Sequence, residues 1–488
     1  SRTMTLVDTS GVHEITVNFC ACADKPPDTV QLLDLGFYPG SVKRPATAFT
    51  FKVLDDLTRH NLECKTNTRE YYETLRRATR PAFPRTVPDR YREMMRCSRQ
   101  WRHLKTLKWQ GFGYSPFREP GPGELALFCP ACPQVGVNLP DNWQVEAERL
   151  PWLFARQLNM DGNFKAEQTH RKYPEDDLPL TCGSLFMCED TRYNQYVSTA
   201  VERPQKATCH DHKAQSQSNT QAKHLTVTSI VAVACARHGC FCPRSCANLQ
   251  KGERQINMDY ILAQALQLTK IPGVSPTVLL YDIVCQYSVH VARRFLENAQ
   301  YLGLPSPLNL LMGIGLFHVH GHQDSCGPRY SPNYMIGAGQ VDGEVIETLW
   351  ARMNEIAVSC QPIGHGHHTE TLDFHMLNSN WQKTIGIVST LCRKLKRAYK
   401  HVRLSAEAFA DLNSVATEAQ VTNWRKMEKA AAENRTKDVS AMDVYAPIMK
   451  KAPTKSEIQR DLSRKEGGGG PIKGSASWLA SGIAIQEA

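Results

Sequence analysis

Apolar and polar positions recur with two different periods along this chain, and the change of period divides it. Near the N-terminus HEITVNFCAC reads as a short strand, a Pro-rich turn (DKPPD) follows, and TAFTFKVLDDLTRHNLE passes from strand or loop into helix. From Thr68 to Trp109 the period is helical, broken near Pro81, Pro84 and Pro88. Within DRYREMMRCSRQWRHLKTLK, Met94, Cys97, Trp101 and Leu104 fall on one face, and Arg92, Arg96, Arg99 and His103 on the other. A Gly/Pro-rich connector, QGFGYSPFREPGPGE, then marks a first boundary. Beyond Leu125 the texture is α/β. WLFARQLNMDGNF, LTCGSLFMC, LTVTSIVAVAC and TVLLYDIVC read as strands, and INMDYILAQALQL, VDGEVIETLWARMNEIAV and TIGIVSTLCRKLKRAYKHVR as helices. After about residue 405 the chain is polar, rich in Ala, Glu and Lys and helical by pattern, and EGGGGPIKGSAS reads as a flexible linker. No fixed-period repeat is present. The boundaries expected are therefore 1–110, 125–405 and 406–488.

Composition narrows this picture. At 488 residues with 41% hydrophobic content, the chain has length for two or three globular domains. No apolar run reaches the roughly 18 residues of a membrane span, and no signal peptide opens the sequence, so an intracellular protein with no membrane partner is expected. The net charge of +10 favours a polyanionic partner. The basic face of the Arg-rich helix is either a solvated surface over a packed apolar stripe or a phosphate-contacting one. In the second case Arg92, Arg96, Arg99, Arg102 and Lys105 are the candidate DNA contacts. RKLKRAYKHVR at 393–403 carries the same two readings.

Seventeen cysteines sit with histidines in short clusters, a pattern that favours zinc over disulfides in a reducing compartment. Cys129 and Cys132 have the bite of a zinc knuckle, and Cys235 with His238 repeats the spacing. One tetrahedral site from these four is expected, with Cys209, His212 and Cys240 as competing ligands. His13, Cys20 and Cys22 form a second candidate group, while Cys285 and Cys392 read as free thiols. Three acidic positions stand out by context. Asp161 and Asp282 end strand-like runs, and Glu344 and Glu347 open a helix at i and i+3 on one face. Carboxylates converging from two strand ends and a helix can hold two divalent metals for phosphoryl displacement. Between them lie His318, His320, His322 and Cys326. On a strand the three histidines would share a face, to bind metal, orient DNA or only pack the site.

Several stretches in one order resemble the KDZ (Kyakuja–Dileera–Zisupton) transposases of fungi. They are MDGNF, YDIVCQY at 281–287, FHVHGHQDSC at 317–326 and GAGQVDGEVIETLW at 337–350. CPACPQVGVNLPDNW at 129–143, CARHG at 235–239 and LQKGERQINMDYIL at 249–262 add to them. GVHEITVNFCAC and QLLDLGFYPGSVKRPATAFTFKVLD resemble the cysteine-cluster domain that accompanies these enzymes. The resemblance implies an α/β, RNase H-like mixed sheet flanked by helices, with zinc-binding insertions and helical N- and C-terminal regions. It implies a nuclear DDE-type DNA transposase that cuts element ends and joins the 3′-hydroxyl to target DNA. Asp161 and Asp282 would be the first two ligands of Mg²⁺ or Mn²⁺. Glu347 or Glu344 would be the third, with Glu347 favoured because ETLW is similar to the helix start of hAT-type transposases. Partners would be double-stranded DNA, both terminal repeats and target, and further copies of the chain on that DNA. The alternative is a catalytically inactive, transposase-derived DNA- or chromatin-binding zinc protein. By the same resemblance the chain starts inside its cysteine cluster and stops short of further helical sequence.

Overall fold

The computed structural model describes residues 1–114, 117–172, 177–202, 224–269, 271, 273–274, 277–303, 308–447, 457–458, 460–461 and 474–486. Two compact units are present, Ser1–Val444 and Tyr445–Ala488. The second contains the helix Ser475–Gln486. Most of the expected EGGGGPIKGSAS linker lies outside the described residues, as do Cys209 and His212.

The first unit opens with a small sheet. Strands β1 (Arg2–Asp8) and β2 (Gly11–Val17) form a hairpin, and β3 (Phe37–Pro39) and β4 (Thr47–Thr50) complete the order β2-β1-β4-β3. Helix α1 (Asp28–Asp34) lies between β2 and β3 in the chain. Helices α2 (Phe51–Cys64), α3 (Thr68–Thr79) and α4 (Tyr91–Trp109) share one core with the sheet, centred on Val7, Phe49, Leu54, Tyr72 and Met94. The Thr50 hydroxyl and Asn67 side chain accept from backbone N–H groups of Val53 and Glu70, starting α2 and α3 where the apolar period begins.

Helix α4 is where it was predicted, but its faces are used differently. Met94 and Cys97 are buried while Leu104 is exposed. Arg99 is not free for phosphate: it pairs with Glu370 at 2.8 Å and Asp177 at 2.7 Å. Arg102 lies over the Phe374 ring, and Lys105 pairs with Asp55 at 3.1 Å and lies over Trp101. Arg96 donates to the Gly40 carbonyl. The helix is thus packed on both sides, and of the five predicted DNA contacts Arg92 and Arg96 are the exposed ones.

The larger sheet has five strands in the order β11-β10-β5-β8-β9. In chain order these are β5 (Gln157–Asn163), β8 (Ser229–Cys235), β9 (Phe241–Leu249), β10 (Thr277–Leu280) and β11 (Leu310–Gly313). Strand β8 is antiparallel to both β5 and β9, whereas β10 and β11 run parallel to β5. A long excursion between β5 and β8 holds the two-stranded pair β6 (Gln168–Thr169) and β7 (Leu225–Val227) and helix α5 (Asp190–Thr199).

Both faces of the large sheet are covered. On β8, Val231 and Val233 face α6 (Gln255–Thr269) and α7 (Val284–Glu297), whereas Ile230, Ala232 and Ala234 face α8 (Val345–Cys360) and α9 (His365–Ile385). A strand covered on both sides reads as continuous apolar sequence, which is why SIVAVAC was legible. The run LTCGSLFMC is not a strand. Cys182 and Gly183 take positive φ, and the Phe186 and Met187 amides donate to the buried Asp373 carboxylate at 2.9 and 2.8 Å. Strand β9 was not predicted because FCPRSCANL contains Pro243 and a positive-φ Arg244. An edge strand tolerates both. Beyond the core run α10 (Ile387–Ser414), which buries no side chain, and α11 (Glu418–Asn434).

Candidate active site

Strand β5 alternates in a way that its sequence only half reveals. Leu158 and Met160 enter the core against α6. The intervening Gln157, Asn159, Asp161 and Asn163 point to the opposite face, where each meets the segment 337–354. Gln157 donates to the Gly337 and Ala338 carbonyls, Asn159 to the Gly343 carbonyl, and Asn163 to Asn354 Oδ1. Asp161 accepts from the Trp350 indole N–H at 3.0 Å. One polar strand face therefore fixes the start of α8, the helix that Glu344 caps and whose first turn carries Glu347.

Asp282 reaches the same place from the neighbouring strand. Leu280 of β10 is paired with Asn159, so Asp282, two residues further on, comes level with Asp161 at the carboxyl ends of two parallel strands. His318, in the 3₁₀ turn His318–Gly321, closes the group. Its Nδ1 lies 3.3 Å from Asp282 Oδ2, and its Nε2 lies 3.2 Å from Glu344 Oε2 and 2.8 Å from Glu347 Oε1. Glu344 also accepts from the Phe317 amide at 3.1 Å, and a Cβ at Gly315 would collide with its carboxylate. The glycine is required for that approach.

A further acid was not predicted. Glu253, between β9 and α6, accepts from the Tyr281 hydroxyl and lies over Gly162, where any Cβ would strike its carboxylate. The one signal for it was its place in the family-like GERQINMDYIL, because a lone Glu in a polar connector has no periodic pattern.

These acids resist ionisation. Burial, then the nearby Asp282 charge, raises Asp161 to about 7. Burial, opposed by His318 and reinforced by Glu344 and Glu347, raises Asp282 to about 7. Burial and Asp161 raise Glu253 to about 8. The hydrogen bond to Glu344, against the effect of burial, and the charge of Asp282 raise His318 to about 10. Burial and mutual repulsion oppose ionisation of these carboxylates, and the donor atoms of Asp282, His318 and Glu347 all lie within 4.8 Å of one another, a group that does not include Asp161.

The three histidines stand on a 3₁₀ turn and not on a strand, so they separate. His318 joins the acids, His320 is exposed, and His322 joins Cys326 and Cys285 elsewhere. Turn geometry spaces successive side chains around an axis instead of alternating them.

The predicted zinc ligands do converge. Cys129 and Cys132 come from a turn ahead of β5, Cys235 ends β8, and His238 lies in the β8–β9 turn. Sγ of Cys132 is 3.2 Å from that of Cys235, and His238 Nδ1 is 3.3, 3.7 and 3.4 Å from Cys129, Cys132 and Cys235. A tetrahedral zinc with Zn–S near 2.3 Å has edges of about 3.5–3.8 Å, so this set fits the ion. Cys240 is buried in the same cluster but is not one of the four mutually close donors. His13 instead contacts Ser10 at 2.9 Å, and with Cys20 and Cys22 it makes no three-donor group among the described residues.

Residues 154–380 match the family model of the Kyakuja-Dileera-Zisupton transposase. The chain carries a KDZ transposase domain. Residues 1–82 match the CxC2-like cysteine cluster associated with KDZ transposases. Asp161, Glu253, Asp282, His318, Glu344 and Glu347 all fall within the KDZ match, whereas Cys129 and Cys132 precede it. No curated protein and no solved structure matches the chain. Among the described residues, no helix is long and apolar enough to cross a membrane.

Proposed function

We propose that this chain is a DDE-type DNA transposase whose KDZ domain cuts element ends and transfers the 3′-hydroxyl strand to target DNA. The observation that carries this reading is the meeting of Asp161, Asp282, Glu344 and Glu347 at the carboxyl ends of two parallel strands, with the two aspartates raised to about 7. The sheet supports an RNase H-like core: an antiparallel β5-β8-β9 meander, with β10 and β11 added in parallel beside β5.

Asp161, Asp282 and Glu347 would hold Mg²⁺ or Mn²⁺, which when bound activates the attacking hydroxyl and stabilises the leaving oxygen. The chain's own residues do the rest. The Trp350 indole and the Gly162 amide donate to the Asp161 carboxylate and fix its orientation. His318, between Asp282 and Glu347, holds these groups close by hydrogen bonds and can shift its proton to DNA or solvent when a cation enters. Zinc at Cys129, Cys132, Cys235 and His238 would staple the pre-strand turn to the β8–β9 turn. Double-stranded DNA is the partner, engaged by an oligomer of the chain in the nucleus.

One observation favours a second reading, a non-catalytic transposase-derived DNA- or chromatin-binding zinc protein. His318 already supplies positive charge to three carboxylates, and a site neutralised in this way has no need of divalent metal. Cleavage of labelled element-end DNA with Mg²⁺ or Mn²⁺, wild type against Asp282→Asn, decides between them. Metal-dependent nicking lost in the variant supports the transposase; DNA binding without such nicking supports the second reading.

A further inference from the structure

Three metal-ligating side chains lie together outside both groups above. The donor atoms of Cys285, His322 and Cys326 all fall within 4.8 Å of one another, and Cys285 Sγ is 3.5 Å from His322 Nδ1. They come from two separate segments, Cys285 from one and His322 with Cys326 from the other. Cys285 is in the first turn of α7, His322 caps the His318–Gly321 turn, and Cys326 starts the short helix Cys326–Tyr330. The Cys326 amide donates to the Gln323 carbonyl at 2.8 Å, closing a turn that brings Cys326 back toward His322. Tyr330, bonded to Ser288 at 3.4 Å, packs beside the group.

The chemistry of the set is specific. Two thiols and an imidazole are borderline-soft donors that select zinc over magnesium or calcium. Among the described residues no fourth His, Cys, Asp or Glu joins the group, so a Cys₂His site would keep one position for water or an incoming oxygen.

Position along the chain supplies the consequence. Cys285 follows Asp282 by three residues, and His322 follows His318 by four. An ion bound by Cys285, His322 and Cys326 therefore ties together the two segments that carry Asp282 and His318. We propose that these three residues form a second zinc site, with an open fourth position, that sets the spacing of Asp282 and His318. This inference does not depend on the chain being catalytic, because metal content reads it directly.

The test uses the full chain. Zinc content is measured by mass spectrometry for wild type, Cys326→Ser and Cys129→Ser. Each variant is expected to lose one zinc per chain, and Co²⁺ substituted into Cys129→Ser should still give a thiolate-to-cobalt absorption band. Wild-type protein is also alkylated with and without a chelator. Cys285 and Cys326 should be protected until zinc is removed, whereas exposed Cys64 and Cys392 should react throughout. This second arm needs no variant to fold. Unchanged zinc in Cys326→Ser, chelator-independent labelling of Cys285 and Cys326, or a Cys285–Cys326 disulfide in freshly isolated protein would each overturn the proposal.

Discussion

The two ends of one strand pair pose the same electrostatic problem with different donors. Cys235 of β8 faces Leu158 of β5, and three positions of register away Ala232 faces Asp161. At the first end, three buried thiols and a half-buried imidazole are mutually close, with the Cys240 thiol beside them. At the second, carboxylates are crowded but hydrogen-bonded to Trp350 and His318. The first end is complete only with an ion. The second is held together by the fold and tolerates one. Metal at the cysteine end is therefore expected to serve folding, and metal at the carboxylate end chemistry.

The strongest way to break that contrast is to remove zinc. Structural zinc sites are worth on the order of 10 kcal/mol. Stripping the ion, or Cys132→Ser, should unfold the β5-β8 region, seen as lost near-ultraviolet circular dichroism and a fall of the melting point by tens of degrees. A melting point within a few degrees of wild type would mean that the cysteine end is held by packing alone.

Neutralising the other end should do the opposite. Asp161→Asn is expected to reduce metal-dependent cleavage at least about a hundredfold, as removal of one charge-stabilising group does elsewhere. Its fold should persist, because Asn retains an acceptor for the Trp350 indole. A variant that loses activity only by unfolding would place Asp161 with the structural residues.

These two ends differed in how far the sequence displayed them. Cys129 with Cys132, and Cys235 with His238, are local pairs whose spacing is fixed by a turn, so they were legible without the fold. Asp161 and Asp282 were legible as strand ends, and Glu344 with Glu347 as a helix start. Glu253 was not, because it meets Asp161 only through the crossing of β5 beneath the β9–α6 connector. Cys285 read as an ordinary thiol for the same reason, since His322 and Cys326 reach it from another part of the chain. The α4 arginines misled in the other direction. Helical periodicity sorts a face by polarity, but it cannot distinguish water from Glu370 and Asp177 as the partner of Arg99. Strand order was illegible throughout, because pairing is decided between segments far apart in sequence.

A pH titration of stability sharpens the contrast further. Asp161 and Asp282, raised from 3.8 to about 7, keep their protons in the fold while the unfolded chain loses them. In metal-free buffer, stability should therefore fall as pH rises from about 4 to 7, by on the order of 2 kcal/mol after solvent screening. His318, raised from 6.5 to about 10, contributes stability that is complete below 6.5 and lost toward 10, so it extends the decline. Mg²⁺ or Mn²⁺ should restore melting temperature more at pH 8 than at pH 5, and Asp282→Asn should flatten the metal-free slope. A metal-free profile that rises from pH 4 to 7 would contradict the crowding of these carboxylates.

The smallest effect expected is that of Glu253→Gln, and it tests how far the carboxylate end extends. Gln keeps an acceptor for the Tyr281 hydroxyl and fills the same space over Gly162, but it removes an acid whose ionisation, held up to about 8 by burial and by the Asp161 charge, follows that of Asp161. Because Glu253 is still protonated where Asp161 titrates, the acidic limb of the cleavage profile should stay within about half a pH unit of wild type. Stability at pH 8 should be unchanged or rise by up to about 1 kcal/mol, because burial alone already disfavours the Glu253 charge. Glu253 is a neighbour of the ligands if activity survives with the acidic limb in place. If cleavage is instead lost as completely as in Asp161→Asn while binding to DNA remains, Glu253 is itself a metal ligand, and the carboxylate end is larger than the sequence disclosed.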